Sequence, residues 1–88
     1  MQSATFDWDD VNLEHLAPHQ VDPDEAEAVL DNKPFILRTE DGKYLAYGQT
    51  DEGRYLLVVF LRKPENRIRV MTARDLSDDE KRRYRRRK

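Results

Sequence analysis

No cysteine occurs in this sequence, which excludes a disulfide framework and any metal site built from thiolates. Also absent is an apolar run close to the roughly 20 residues that a membrane-spanning helix needs. The first ten residues, MQSATFDWDD, are acidic and lack the basic and apolar regions of a signal peptide. We therefore expect a cytoplasmic protein that does not contact a membrane. We also expect residues 1–88 to form a single domain around one small core.

The net charge of −2 hides a difference between the two halves of the chain. Residues 1–41 carry eleven acids and two bases, whereas residues 42–88 carry seven acids and fourteen bases. If the two halves occupy different faces of the fold, the molecule attracts polyanions on one side. If acidic helices instead pack on basic strands, the charges cancel locally. The sequence leaves both arrangements open.

Two helical segments are predicted in the acidic half. Residues 11–17 (VNLEHLA) place apolar side chains on one face, and Pro18 then ends the helix because proline lacks an amide donor. The next helix has a clear start. Asp22 is its predicted N-cap, Pro23 its first residue, and Glu25 completes a capping box.

Four segments rich in β-branched and aromatic residues predict strands in the second half, at residues 35–39, 43–50, 54–62 and 67–74. The breaks between them are short enough only for hairpins, which predicts an antiparallel meander. Ser77 and Glu80 then form a capping box at the start of a C-terminal helix. The predicted fold class is therefore α+β, with N-terminal helices, a four-stranded antiparallel β-meander and a C-terminal helix.

The chain ends in KRRYRRRK, which places seven basic residues around Tyr84. This number exceeds what solubility requires, and attraction to a polyanion is the expected use. We expect residues 85–88 to fray and to contribute affinity rather than chemistry. The predicted nucleic-acid contacts are Lys43, Arg62, Lys63, Arg82, Arg83, Arg85 and Arg86.

Several motifs in a fixed order carry a family resemblance. An F-x-W-D element begins at Phe6, and N-x-x-H-x-x-x-H-x-V spans residues 12–21. G-R-Y-L-x-V-V-F spans residues 53–60, and R-V-x-T-A-R spans residues 69–74 ahead of an E-x-x-x-Y helix that ends at Tyr84. In this order, the motifs resemble the BrnT-type toxins of bacterial type II toxin–antitoxin systems, which are RelE-like ribonucleases. The resemblance covers the chain from Phe6 to about Tyr84.

The resemblance implies a RelE-like fold and an endoribonuclease that inhibits translation without a metal or another cofactor. It also implies a BrnA-like antitoxin as partner, and a toxin–antitoxin heterotetramer is one assembly that it allows. The alternative function is a non-catalytic, toxin-like module that binds an antitoxin or nucleic acid. Pro18 and Lys43 favour this alternative, because many family members have lysine and arginine at these positions.

Cleavage of RNA without a metal requires cations at one phosphate and groups that move protons. The candidate catalytic residues are Arg69, Arg74, Glu80, Tyr84 and His19. We expect the guanidinium groups of Arg69 and Arg74 to converge on one anion. His15 and His19 are spaced as two metal ligands on a helix would be, but Pro18 between them and the lack of a third ligand argue against a metal.

Structural alternatives exist for these candidates. Regular alternation places Arg74 on the same face as Val70, where it would bind a phosphate or pair with Asp7, Asp9 or Glu80. Glu80 is explained better as a capping residue than as a general base. Tyr84 is expected first as a packing anchor for the C-terminal helix and second as a proton donor.

Overall fold

The structure, a computed structural model, describes residues 4–87. The elements in chain order are β1 (Thr5–Phe6), α1 (Asp10–Leu16), a 3₁₀ turn (Ala17–His19), α2 (Pro23–Asp31), β2 (Phe35–Arg38), β3 (Tyr44–Gln49), β4 (Tyr55–Lys63), β5 (Arg67–Asp75) and α3 (Asp78–Arg87). The α+β class is confirmed. The predicted strands agree with β2 to β5 within one residue at each end.

The strands form one mixed sheet in the order β1-β5-β4-β3-β2. Strands β2 to β5 are the predicted antiparallel meander. The expectation of only four strands, all antiparallel, is wrong, because Thr5 and Phe6 pair with β5 in parallel. The Thr5 amide donates to the Asn66 carbonyl at 3.0 Å, and the Asp7 amide donates to the Ile68 carbonyl at 2.8 Å. The described chain therefore begins with an edge strand ahead of its helices.

Helices α1 and α2 cover one face of the sheet. Their buried residues Leu16, Val29 and Leu30 pack in one cluster with Val58 and Phe60 of the central strand β4. All five side chains are at most 1% exposed. Because side chains alternate across a strand, the intervening residues of β4 face the other way. The main core thus lies between the sheet and the two N-terminal helices.

Helix α3 covers the opposite face. Leu57, Leu76 and Tyr84 form a second, smaller buried cluster there. Residue Phe35 of β2 and residue Tyr47 of β3 pack against this cluster but stay partly exposed. Strand β4 is therefore covered on both faces, as its unbroken apolar run predicts, although the α3 side is covered less completely.

A β-bulge in β5 changes which side chains share a face. The register of β4 and β5 shifts next to Phe60, which leaves Met71 without a partner on β4. Regular alternation from Val70 predicts that Arg74 lies on the α1–α2 side, and this prediction is wrong. Beyond the bulge, Ala73 joins Val70 in the core, and Arg74 pairs with Leu57 on the α3 side. An extra residue in one strand reverses the alternation that follows it.

Local side-chain hydrogen bonds fix the helix starts. The Glu25 carboxylate accepts from the Asp22 amide at 3.0 Å, as the predicted capping box requires. At α3, the Glu80 carboxylate accepts from the Ser77 amide at 2.9 Å and the Ser77 hydroxyl accepts from the Glu80 amide at 3.2 Å. Helix α1 has a capping box that we did not predict, in which Asp9 and Asn12 bond each other's backbone amides.

The charges separate with the two helical layers. Residues 10–31, on one side of the sheet, contain seven acids and no lysine or arginine. Helix α3, on the other side, contains six basic residues. This separation favours the polarised arrangement. The helix continues through Arg87, and Lys88, the last residue of the segment expected to fray, lies outside the described residues. None of the described helices is long and apolar enough to span a bilayer.

Candidate functional site

Arg74 and Glu80 form a two-point ion pair between β5 and α3. Arg74 Nη1 donates to Glu80 Oε1 at 2.8 Å, and Nη2 donates to Glu80 Oε2 at 3.0 Å. Nη1 also donates to the backbone carbonyl of Asp75 at 3.0 Å. The planar guanidinium matches the carboxylate geometry, which fixes its orientation as well as its position. The pair holds α3 against the sheet.

The environment of Glu80 favours its ionised form. The Arg74 hydrogen bonds, followed by the backbone hydrogen bond from Ser77, lower the pKa of Glu80 to about 2. A carboxylate with so low a pKa accepts a proton poorly near neutral pH. The geometry therefore fits Glu80 as a group that orients Arg74 and caps α3.

Arg74 keeps part of its donor capacity. Its side chain is 42% exposed, compared with 15% for Glu80. Three of its five N–H groups donate to Glu80 and Asp75. The Nε–H and one Nη2–H have no acceptor within residues 4–87, so Arg74 can donate to a ligand without releasing Glu80.

A pocket beside this pair lies between α3 and strands β2 and β3. Its lining residues are Phe35, Leu37, Tyr47, Glu80, Arg83, Tyr84 and Arg87. The four α3 residues are spaced i, i+3, i+4 and i+7, so they share one helical face. The pocket combines aromatic and aliphatic walls with two guanidinium groups. It brings together three of the predicted residues, Glu80, Arg83 and Tyr84, next to Arg74.

Tyr84 lies at the inner side of this pocket. It is 3% exposed and packs edge-on against Tyr55, with ring centroids 6.0 Å apart. The predicted anchoring role of Tyr84 agrees with its burial beside Leu57 and Leu76. Its catalytic role stays a prediction.

Arg69 does not converge with Arg74, so the expectation of a shared anion site for these two residues is wrong. Arg69 pairs with Leu61 across the sheet and Arg74 with Leu57. Four residues of β4 span roughly 13 Å. Arg69 instead donates to both Asp9 carboxylate oxygens, at 3.0 and 3.1 Å, and is 17% exposed. The Asp9 hydrogen bond raises the pKa of Arg69, and the same contact lowers the pKa of Asp9.

Arg54 is the most highly connected arginine among the described residues. It donates to both Asp75 carboxylate oxygens at 2.8 and 3.0 Å and to both Glu25 oxygens at 3.1 and 3.2 Å. It also donates to the backbone carbonyls of His19 and Gln20, at 3.1 and 2.9 Å. These contacts tie the 3₁₀ turn, α2 and β5 together. They also place the predicted catalytic residue His19 in this network, outside the pocket.

The other predicted nucleic-acid contacts are spread over the molecule. Lys43 pairs with Asp41 at 3.4 Å, and Lys63 pairs with Asp7 at 3.2 Å. Arg62 lies over the ring of Tyr44 on β3. Four of the predicted contacts, Arg82, Arg83, Arg85 and Arg86, lie on α3, the helix that forms one wall of the pocket. Within this group, Arg82 pairs with Asp79, and Arg85 donates to the Tyr55 hydroxyl at 3.2 Å.

The described residues contain no cluster of side chains suited to bind a metal ion. His15 is on α1 and His19 is in the 3₁₀ turn. Residues 4–87 contain no group of three or more His, Cys, Asp or Glu side chains that could hold a metal ion.

Sequence reasoning missed the other residues that line the pocket, namely Phe35, Leu37, Tyr47 and Arg87. The hairpin around Gly42 pairs Phe35 with Tyr47, and the position of the turn was sufficient to predict that pairing. Leu37 lies two positions after Phe35 and shares its face of the strand. Arg87 lies one helical turn after Arg83, so its position on the same face was also readable.

Comparisons with known proteins agree with this geometry at the level of fold and family. The pattern of the family described as ribonuclease toxin, BrnT, of type II toxin–antitoxin system matches residues 8–80. The fold is similar to the 1.1 Å crystal structure of the Brucella abortus ribonuclease toxin BrnT, with a TM-score of 0.66 and 19% sequence identity. The match covers 85% of this chain and 96% of that chain. No curated protein sequence matches. On the family match over residues 8–80, the chain belongs to the BrnT ribonuclease toxins of type II toxin–antitoxin systems.

Proposed function

We propose that this chain is the toxin of a type II toxin–antitoxin system and an endoribonuclease that inhibits translation by cutting RNA. The observation that carries the proposal is the Arg74 guanidinium, which is held by Glu80, a residue that lines the pocket, while two of its donors stay available. An oriented cation at the reacting phosphate is the main requirement of RNA cleavage that uses the 2′-hydroxyl as nucleophile.

The proposed reaction is an internal transfer at phosphorus. The 2′-hydroxyl loses its proton to solvent water as its oxygen forms a bond to the neighbouring phosphorus. The bond from phosphorus to the 5′-oxygen breaks, and that oxygen takes up a proton. Arg74 donates to the phosphate oxygens, where negative charge builds up in the transition state. The products are a 2′,3′-cyclic phosphate and a 5′-hydroxyl, and no metal takes part.

The candidate residues have different parts in this proposal. Glu80 is a positioning residue that holds Arg74, because its low pKa makes it a poor base. Arg83 binds RNA beside Arg74, and the Tyr84 hydroxyl is the proposed proton donor to the leaving oxygen. Arg69 and His19 lie away from the pocket, so the bond-breaking step does not involve them.

The partner is an antitoxin, as membership of a type II toxin–antitoxin family implies. We propose that it is BrnA-like, that it assembles with the toxin as a heterotetramer in the cytoplasm, and that it covers the basic surface of α3. Charge supports this choice, since α3 carries six of the basic residues while the opposite helical layer is acidic.

Cleavage of RNA by the purified protein in excess EDTA tests the proposal. Wild-type protein is expected to produce fragments with 2′,3′-cyclic phosphate ends. Arg74→Gln should reduce the rate about 10²- to 10³-fold, as the loss of one transition-state donor does in other enzymes. Arg67→Gln is the matched control, because Arg67 is exposed on the same strand and its guanidinium, within residues 4–87, donates only to the Pro64 carbonyl. It should cleave at the wild-type rate.

Expression of the protein alone in bacteria provides a second readout. Growth arrest by wild type and Arg67→Gln, with relief by Arg74→Gln, is the expected result. Folded wild-type protein that neither cuts RNA nor arrests growth would reject the nuclease. In that case, binding to RNA or to an antitoxin without turnover would support the alternative, a non-catalytic module. The carboxylate pairing of both Arg69 and Arg74 is the observation that favours this alternative.

A further inference from the structure

The ring of Phe35 lies beside a group of arginines that have no acidic partners among the described residues. Phe35 borders the pocket beside Glu80 and also a second, shallower depression lined by Arg83, Arg86 and Arg87. None of these three arginines forms an ion pair with residues 4–87, unlike Arg54, Arg69 and Arg74. The Arg87 guanidinium carbon is 4.9 Å from the Phe35 ring centroid. An aromatic surface and unpaired cations therefore meet on one side of α3.

This combination suits one class of ligand better than a phosphate alone or an apolar peptide. Phe35 and Tyr47 are partly exposed, with ring centroids 6.3 Å apart and planes inclined by 36°. Leu37, on the same strand as Phe35, is 45% exposed. A phosphate needs the cations but not the apolar surface. An unpaired base of single-stranded RNA offers a flat ring for stacking and adjoining phosphates for the cations.

We propose that Phe35 and Tyr47 form a nucleobase subsite for single-stranded RNA, with Arg83, Arg86 and Arg87 binding the phosphates on either side of that base. The choice of RNA as ligand rests on the proposed function, and the subsite deepens it. The base binds in the pocket that Glu80 also lines, and Glu80 holds Arg74, so the base belongs to a nucleotide adjacent to the bond that is cut. A base inside a duplex cannot reach this surface, and the subsite therefore selects unpaired RNA.

A similar group elsewhere in the fold provides a matched control. Tyr44 has the guanidinium groups of Arg38 and Arg62 each 5.8 Å from its ring centroid. However, Tyr44 already stacks on Phe60, at 5.3 Å and 19°, and it lines neither of the two depressions beside α3. Tyr44, the first residue of β3, is therefore also an aromatic ring beside arginines, but it borders no depression in which a base could bind.

The test measures binding of short 2′-O-methyl RNA, which cannot be cut because it lacks the nucleophile. A six-nucleotide strand is compared with strands in which each base in turn is replaced by an abasic residue. For wild type, removal of the base at one or two positions should weaken binding about 5- to 100-fold, which is the range of one stacking interaction. Phe35→Leu should reduce that ratio to about one, whereas Phe35→Tyr and Tyr44→Leu should retain it. Because the ratio is taken within each variant, partial unfolding does not imitate the result.

Two outcomes would overturn the subsite. The first is equal binding of intact and abasic strands by wild type, which would leave a phosphate-binding or acidic-protein-binding surface. The second is an unchanged ratio in Phe35→Leu. These results are independent of cleavage. A wild-type protein that discriminates between the strands but cuts no RNA would support the subsite and reject the nuclease. A wild-type protein that cuts RNA but binds intact and abasic strands equally would support the nuclease and reject the subsite.

Discussion

Arg54 directly precedes β4 and Arg74 lies on the neighbouring strand β5. Both donate to Asp75, yet they differ in how many N–H groups remain available to a ligand. Arg54 donates to the Asp75 carboxylate, to Glu25 and to two backbone carbonyls, which uses every N–H group of its guanidinium. Arg74 donates to Glu80 and to the backbone carbonyl of Asp75, and two N–H groups remain without an acceptor in the described chain. The Arg54 side chain is 28% exposed, and the Arg74 side chain is 42% exposed.

The difference separates a structural arginine from one that can act on a ligand. Arg54 joins the 3₁₀ turn, α2 and β5, whose contacting residues lie 21 to 35 positions from it in sequence, and removing it leaves two carboxylates without their cation. Arg74 joins α3 to the sheet through Glu80, and Glu80 lines the pocket. Asp75 connects the two, since its carboxylate binds Arg54 and its carbonyl binds Arg74. An arginine with every donor used stabilises the fold, whereas one with donors to spare is the better functional candidate.

The largest expected effect on stability belongs to Arg54→Gln. Loss of several charge-assisted hydrogen bonds should lower the free energy of unfolding by about 2–3 kcal/mol, because Glu25 and Asp75 then lose their partner. Urea unfolding followed by circular dichroism measures this change. Arg62→Gln is the control, since Arg62 is exposed and should change stability by less than about 0.5 kcal/mol. Equal small losses in both variants would refute the structural role of Arg54.

A smaller loss of stability is expected at acidic pH, where the ion pair between Arg74 and Glu80 weakens. The folded pKa of Glu80 is lowered to about 2 from an ordinary 4.5. A lowered pKa stabilises the fold above the ordinary value, and this contribution disappears as the pH falls from about 4.5 towards 2. Because Arg74 is 42% exposed, solvent screening limits the contribution at neutral pH to roughly 1–2 kcal/mol. The difference in stability between wild type and Glu80→Gln should therefore shrink in this pH range.

Unfolding free energies at a series of pH values check this prediction. Glu52→Gln, at an exposed position in the turn between β3 and β4, controls for the loss of one negative charge. A wild-type advantage over Glu80→Gln that persists at pH 2 would mean that the Arg74 pair does not stabilise the fold through ionised Glu80.

Local sequence signals predicted most of the fold. The change from helical to strand patterning after Pro34, the short turns and the two capping boxes each depend on residues close together in the chain. Strand β1 was not part of the predicted sheet, because two residues are too few for a clear strand pattern. It exists only through pairing with β5, which lies about sixty positions away.

The candidate site was less predictable because its geometry depends on distant contacts. The face on which Arg74 lies follows from the bulge at Met71, and no local signal marks that extra residue. The partners of Arg54 lie 21 to 35 positions away in sequence, so its network cannot be inferred from spacing. By contrast, the capping role of Glu80 was predictable, and its place beside Tyr84 on one helical face followed from their spacing.

The smallest expected change in stability, with a large change in activity, belongs to Arg74→Lys. Lysine keeps the charge near Glu80, and the pair is partly exposed, so the free energy of unfolding should fall by less than about 1 kcal/mol. However, an ammonium group cannot bind Glu80 at two points and still offer oriented donors to a phosphate. Cleavage should therefore fall at least tenfold, in line with an oriented cation at the phosphate.

In Arg54→Gln, cleavage per folded molecule should stay close to wild type. Activity and unfolding measured on the same preparations separate these effects, and an Arg74→Lys variant as active as wild type would remove the orientation of the guanidinium from the mechanism.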